Sequence, residues 1–316
     1  MEKRRLGSTG LSIAPIVFGG NVFGWTIDEA ESFRVLDAFV DHGFNAIDTA
    51  DVYSRWFPGN EGGESETVIG RWLAARPGMR EKVTIFTKVG SDMGQGKRDL
   101  SEDHILKAVE DSLVRLGIER IDLYFSHWPD PTVSHEETLG AYAKLLKAGK
   151  IASIGASNYD AELLGAALAA SKAAGLPAYG ALQNELNLYD RAGFDAELKA
   201  VCAQADVGVT TYFSLASGFL SGKYRSAADA EGRPRGARLE KYFDAKGMKV
   251  LAALDEVAGA QEARPAEVAL AWLIATDGVS APIASATSVA QVESFARAAS
   301  MALSAEQMAL LNAAGA

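Results

Sequence analysis

Apolar positions in this chain alternate between two periods. Short β-rich runs, FNAID at 44–48, VTIFTK at 83–88, IDLYFSH at 121–127 and IASIGAS at 151–157, are separated by longer stretches with helical spacing. That alternation predicts βα units around a parallel sheet. IVFGG at 16–20 precedes these runs, and weaker strand candidates at 180–184, 207–212 and 279–285 follow them, giving eight predicted strands. Between them, Ile105, Leu106, Val109, Leu113 and Leu116 form a helical stripe that Gly117 ends. Gly43 and Gly149 close other helical segments, and Ser134 with Glu137, or Ser304 with Gln307, stand at capping-box spacing. The chain from Ser304 onward reads as a last surface helix.

Eight strands can form an open doubly wound sheet or a closed barrel. An open dinucleotide-binding sheet carries GxGxxG after its first strand, whereas Gly19, Gly20 and Gly24 have the wrong spacing. We therefore expect a (β/α)8 TIM barrel, an α/β fold spanning 1–316 as one domain, with a short N-terminal β-hairpin. A length of 316 residues suits one large barrel. The opening MEKRRLGSTGLSIAPIVFGG places basic residues before apolar ones, as a leader does. Gly7, Ser8, Thr9, Gly10, Ser12 and Pro15 interrupt it, so it reads as the hairpin instead. GFLSGKY at 218–224 is one residue too short for a phosphate loop and lacks Ser or Thr after Lys223. Two stretches, 54–63 and 217–242, depart from the repeat and are expected as rim loops.

Composition narrows the function classes. Hydrophobic residues make up 48% and charged residues 23%, the balance of an ordinary packed protein. A formal net charge of −10 argues against a nucleic-acid partner, so an anionic cofactor needs locally placed cations. No apolar run approaches the roughly 18 residues of a membrane span. Cys202 stands alone, which fits a cytoplasmic protein, and His42, His104, His127 and His135 do not cluster as metal ligands do.

The C-terminal ends of the predicted strands are polar: Asp48 with nearby Tyr53, Lys88, His127, Ser157, Asn158, Gln183, Tyr212 and Ser285. A barrel gathers such positions around one mouth. Singly, each has an ordinary explanation. Asp48 caps a turn, Tyr53 is a loop tyrosine, His127 is a core histidine, and Lys88 after a buried run needs solvent or a partner. Their convergence on one face favours a site.

DTADVY at 48–53, FTKVG at 86–90, SHWPD at 126–130 and GASN at 155–158 resemble the motifs of the aldo-keto reductases, and the likeness runs from GSTGLSIAPIVFGG to SVAQVES at 288–294. The resemblance implies NAD(P)H-dependent interconversion of a small-molecule carbonyl and an alcohol or sugar. It implies a tetrad of Asp48, Tyr53, Lys88 and His127, with Tyr53 as proton donor. A neighbouring ammonium favours phenolate, so Lys88 is expected to lower the Tyr53 pKa, while Asp48 keeps Lys88 charged and His127 orients the carbonyl oxygen. The resemblance also sets Ser157, Asn158 and Gln183 against the nicotinamide amide, with Tyr212 on its ring. Ser214, Leu215 and Gly218 to Lys223 would wrap the pyrophosphate, with Ser285, Thr287 and Gln291 at the adenosine. The family's usual cation is missing at Thr287, which leaves NAD as the alternative; Thr287 and Ser288 can still donate to a 2′-phosphate, with Lys223 or Arg225 supplying charge, so NADP is the expected cofactor. Phe23, Trp25, Trp56 and Trp128 are expected to line the substrate pocket. Two other readings stand beside this one: an NADP-binding regulatory subunit resembling potassium-channel β subunits, and a Schiff-base aldolase using Lys88. Oligomeric state is left open.

Overall fold

The computed structural model describes residues 1–232 and 236–316. The chain opens with β1 (Arg4–Arg5) antiparallel to β2 (Ser12–Ile13), the expected hairpin. Eight strands then close a barrel: β3 (Val17–Gly19), β4 (Ala46–Asp48), β5 (Thr84–Val89), β6 (Leu123–Ser126), β7 (Ile154–Ser157), β8 (Ala181–Glu185), β9 (Gly208–Tyr212) and β10 (Ala281–Ala284). Each pairs in parallel with the next, and β10 returns to β3. Helices α1 (Glu29–Asp41), α2 (Glu64–Ala74), α3 (Glu102–Leu116), α4 (His135–Lys147), α5 (Ala161–Ala174) and α6 (Ala196–Gln204) connect successive strands. After β9 come α7 (Ala227–Ala230), α8 (Ala245–Ala260) and α9 (Pro265–Ala275), and after β10 come α10 (Val289–Ser300) and α11 (Ala305–Ala314). The architecture is the expected (β/α)8 barrel.

Several predicted strands are shorter in the structure. Phe44 and Asn45 precede β4, and the Asn45 side chain accepts from Ala14 N and donates to Ser12 O, tying the barrel to the hairpin. Gly117 ends α3 with φ 63°. The capping box at Ser304 and Gln307 is complete, whereas at Ser134 only half forms, because the Glu137 carboxylate accepts from Glu102 N instead. The 217–242 stretch is not one open loop: it holds α7 and short 3₁₀ turns such as Ala216–Ser221 and Glu240–Tyr242, with Ser226 and Asp229 boxing the start of α7. Its residues 233–235 lie outside the described residues. No helix among the described residues is long and apolar enough to cross a membrane.

The apolar residues form two clusters. The larger fills the layer between barrel and helices. The smaller fills the barrel interior with Val17, Phe86, Leu123, Phe125 and Ile283, and it continues into Leu6 and Ile13 of the hairpin. The hairpin therefore closes the end of the barrel where the strands begin. Its fit is tight: Ser8 N donates to Asp206 O at 2.7 Å, and a Cβ on Gly7 would lie 2.1 Å from Gly208 N. Gly7 has φ 51°, so both space and backbone conformation require glycine. The opposite end, where the strands finish, stays open.

Candidate active site

Asp48 ends β4 and Lys88 lies near the end of β5, and the parallel register brings both to the open end. The turn after β4 is pinned by Asp51 N donating to Lys88 O and Tyr53 N donating to Ala50 O, which swings Tyr53 over the mouth. Lys88 is fully buried. Its Nζ donates to Asp48 Oδ2 at 2.6 Å, Thr49 O at 2.8 Å and the Tyr53 hydroxyl at 2.9 Å. All three ammonium donors are thus used, which compensates a buried charge. The other oxygen of Asp48 accepts from Gln183 Nε2 at 2.9 Å, a bond that reaches from β8. His127 follows β6; its ring centre lies 6.1 Å from that of Tyr53. The tetrad residues therefore meet at one mouth.

The electrostatics depart from expectation. Burial pushes the Tyr53 pKa well above its usual 10, and the Asp48 charge adds to this. The lowering expected from Lys88 is not the net effect, because the phenol also faces the carboxylate, and both enclosure and carboxylate oppose the phenolate. Tyr53 consequently holds its proton at neutral pH. Burial also lowers the Lys88 pKa, outweighing Asp48, so that carboxylate offsets the shift without reversing it. Burial, then Lys88 and Arg98, hold His127 well below 6.5, leaving the imidazole neutral at pH 7.

Ser91, unremarked in the sequence, meets this imidazole: its Oγ lies 2.9 Å from His127 Nδ1 and the residue is buried. When Ser91 donates, the ring proton sits on Nε2, free for a substrate oxygen. Asp51 was also missed. It is buried, and neither carboxylate oxygen has a side-chain partner among the described residues. Burial, then the neighbouring Glu66, raise its pKa to about 8. Glu66 itself is held by Thr87 Oγ1 at 2.5 Å and Arg115 Nε at 2.7 Å.

The nucleotide candidates adjoin the tetrad. Asn158 Nδ2 donates to His127 O at 2.8 Å, its Oδ1 accepts from the Tyr212 hydroxyl at 2.5 Å, and Asn184 Oδ1 holds its backbone NH. Ser157 Oγ donates to Gln183 O at 2.7 Å. Ser157, Asn158, Gln183 and Tyr212 thus form one network with the tetrad. Beyond β9, Ser214 Oγ turns inward to Thr211 O and the Leu215 carbonyl accepts from Gly218 N. Ala216, Ser217 and Gly218 all have positive φ, at 48°, 58° and 102°. A Cβ on Gly218 would lie 3.9 Å from Lys223 Nζ, on an exposed side chain. Ser285 Oγ donates to Asn21 Oδ1, and the Gln291 side chain accepts from Thr287 N at 2.7 Å, bracing the start of α10. The buried amide and hydroxyl network, the tightly turned backbone beside the exposed Lys223 and the polar side chains of Ser285, Thr287 and Gln291 fit a nicotinamide dinucleotide.

Three aromatics stand at the mouth. Trp56, 47% exposed, packs edge-on against both Tyr53 and Trp25, and Trp128 lies nearly parallel to His127 at 6.0 Å. Phe23 differs: it is fully buried and stacked on Phe18 at 5.4 Å, so it belongs to the core and not to an open wall. Trp128, Asn158, Glu185 and Tyr212 border a cavity of about 660 Å³ that runs toward Tyr189 and Lys246.

Comparison with known proteins agrees with this geometry. Residues 15–316 match the Aldo/keto reductase family. The chain is 32% identical to the uncharacterized oxidoreductase YrpG of Bacillus subtilis, over 99% of this chain and 95% of that protein. It is 30% identical to protein tas of Escherichia coli, over 99% and 97%. A probable voltage-gated potassium channel subunit beta of Arabidopsis thaliana is 28% identical over 93% and 89%. The chain belongs to the aldo/keto reductase family, a family of NAD(P)H-dependent oxidoreductases.

Proposed function

We propose that this protein reduces the carbonyl of a small aldehyde or ketone, and runs in reverse on an alcohol or sugar, with NADP(H) as preferred cofactor and NAD(H) as the alternative. The observation that carries this reading is the Lys88 ammonium, which bonds Asp48 and Tyr53 at once beside His127. The bound nicotinamide supplies a hydride to the carbonyl carbon. The oxygen then needs a proton, and Tyr53 holds one throughout the neutral range. As that proton leaves, Lys88 at 2.9 Å stabilises the phenolate, and Asp48 with Gln183 keeps Lys88 in place. Neutral His127 donates from Nε2 and fixes the carbonyl oxygen between carbon and phenol. Trp25, Trp56 and Trp128 form the substrate wall.

Ser157, Asn158, Gln183 and Tyr212 would hold the nicotinamide end, Ser214, Leu215, Gly218 and Lys223 the pyrophosphate, and Ser285, Thr287 and Gln291 the adenosine. The Schiff-base alternative asks Lys88 for a free lone pair, yet its three donors are engaged below the mouth. A single buried cysteine with no disulfide fits the cytoplasm, and one closed barrel fits a single domain over 1–316.

The test is tryptophan quenching by NADPH and NADH alongside reduction of 4-nitrobenzaldehyde, in wild type and Tyr53→Phe. Both proteins should bind nucleotide, with the variant's kcat lower by about 10²- to 10⁴-fold. Binding without turnover by wild type would favour a regulatory subunit, and no binding of either nucleotide would refute the reading.

A further inference from the structure

Arg98 is exposed on the loop after β5, and its guanidinium carbon lies 4.5 Å from the Trp128 ring centre. Among the described residues it makes no ion pair or hydrogen bond. Its chain neighbours Lys97 and Asp99 pair with each other at 3.1 Å. Other nearby carboxylates are committed to backbone: Asp92 accepts from Gly94 N and Gly96 N, and Asp130 from Leu100 N and Thr132 N. Arg98 is thus an uncommitted cation in a protein of net charge −10, where Arg5, Arg71, Arg76, Arg80 and Arg225 each have a carboxylate partner.

Its position matters because of what Trp128 touches. Trp128 lies at 17° to the His127 ring, and His127 packs edge-on toward Tyr53. Arg98 therefore caps a row of rings that leads to the candidate proton donor, and its charge is among those that keep His127 neutral. From the facing rim loop, Arg55 donates to the Asp92 carbonyl at 3.3 Å, and its charge acts on the Asp92 carboxylate, so that carboxylate is drawn to Arg55 and to backbone. A guanidinium seated over an indole keeps N–H groups available, and their planar fork matches an anionic oxygen group.

We propose that Arg98, seated on Trp128, recognises an anionic group on the carbonyl substrate, so that the site takes carbonyl compounds bearing a carboxylate or phosphate ester over neutral ones. The proposal rests on the reductase reading of the same mouth and names its substrate class. Because the contact is remote from the reacting carbon, it holds ground state and transition state alike and acts through KM.

The experiment compares kcat/KM for 4-carboxybenzaldehyde against 4-nitrobenzaldehyde, and for glyceraldehyde 3-phosphate against glyceraldehyde, in wild type, Arg98→Gln, Arg98→Lys and Arg120→Gln. Arg120 is an exposed arginine at the opposite end of the barrel and controls for general charge. Taking ratios between proteins cancels the intrinsic reactivity of each aldehyde. The anionic-to-neutral ratio should fall about tenfold or more in Arg98→Gln, mostly in KM, with Arg98→Lys between and Arg120→Gln like wild type. Whichever pair shows the loss identifies carboxylate or phosphate as the group. An unchanged ratio in Arg98→Gln, or an equal fall in Arg120→Gln, would overturn the proposal. Should wild type reduce none of these aldehydes, carbonyl reduction falls, and binding decides the subsite. Quenching of tryptophan by 4-(hydroxymethyl)benzoate but not benzyl alcohol, lost in Arg98→Gln, supports it; quenching that is absent or equal in both proteins overturns it.

Discussion

Asp51→Asn should stabilise the protein, and by an amount that depends on pH. The wild-type carboxyl is buried without a side-chain hydrogen-bond partner among the described residues, and burial with the Glu66 charge pushes its pKa up to about 8 in the folded state. In the unfolded chain an aspartate titrates near 3.9, and each unit of difference corresponds to about 1.4 kcal/mol. Between these values the folded chain holds a proton that the unfolded chain has released, so wild-type stability falls as pH rises from about 4 and levels off near 8. At pH 7 the proton uptake costs up to about 4 kcal/mol, an upper bound because Glu66 and Arg115 adjust to it. Asparagine keeps the shape and cannot ionise. Asp51→Asn should then exceed wild type by about 2–4 kcal/mol at pH 7, with the gap closing toward pH 4 and constant above pH 8. Urea unfolding of both proteins from pH 4.5 to 8.5 reads this gap directly. A gap that does not vary with pH would refute the reasoning, since it would mean that no proton is taken up at this site.

Ser91→Ala removes the partner of His127 Nδ1, so kcat should fall roughly tenfold at unchanged nucleotide affinity, and ¹⁵N spectra should show a mixed imidazole tautomer; unchanged kcat and tautomer would remove Ser91 from the positioning role. Gly70→Ala places a Cβ 2.2 Å from Arg115 O, where α2 crosses the end of α3. It should destabilise the protein by about 1–3 kcal/mol, and an unaltered melting curve would contradict the close crossing. Thr287→Lys adds a cation at the start of α10 and should shift the NADPH-to-NADH affinity ratio upward about tenfold; an unchanged ratio would move the 2′-phosphate contact elsewhere.

The barrel was legible because its signals are local and repeat: short β-rich runs alternating with stretches of helical spacing, with glycines such as Gly117 at the seams. Parallel strands of a barrel finish at one end, which is why Asp48, Lys88 and His127, at the polar ends of their runs, were readable as one face. Residues carried by loops were not. Ser91 reaches His127 because Gly90, at φ 101°, turns the chain just after β5, and nothing in the local pattern says where the turned chain will point. Phe23 looked like a wall residue for the same reason, but the chain after β3 folds its ring back onto Phe18. Asp51 sits in a recognisable motif, yet its unpartnered burial is set by α2 and α3 closing over it. The Tyr53 proton affinity was misread because sequence names the neighbours of a group but not how deeply it is enclosed.

The hairpin that closes the barrel also fixes an order of assembly. Leu6, Gly7 and Ser8 are synthesised well before their partners Gly180, Asp206 and Gly208. The stopper is made before the strands it seats on, and it can be seated only after some two hundred further residues have emerged and β8 and β9 are in place. Until then Leu6 and Ile13 lack part of the barrel interior they pack against, so a nascent chain stalled short of β9 leaves the apolar side of the hairpin uncovered.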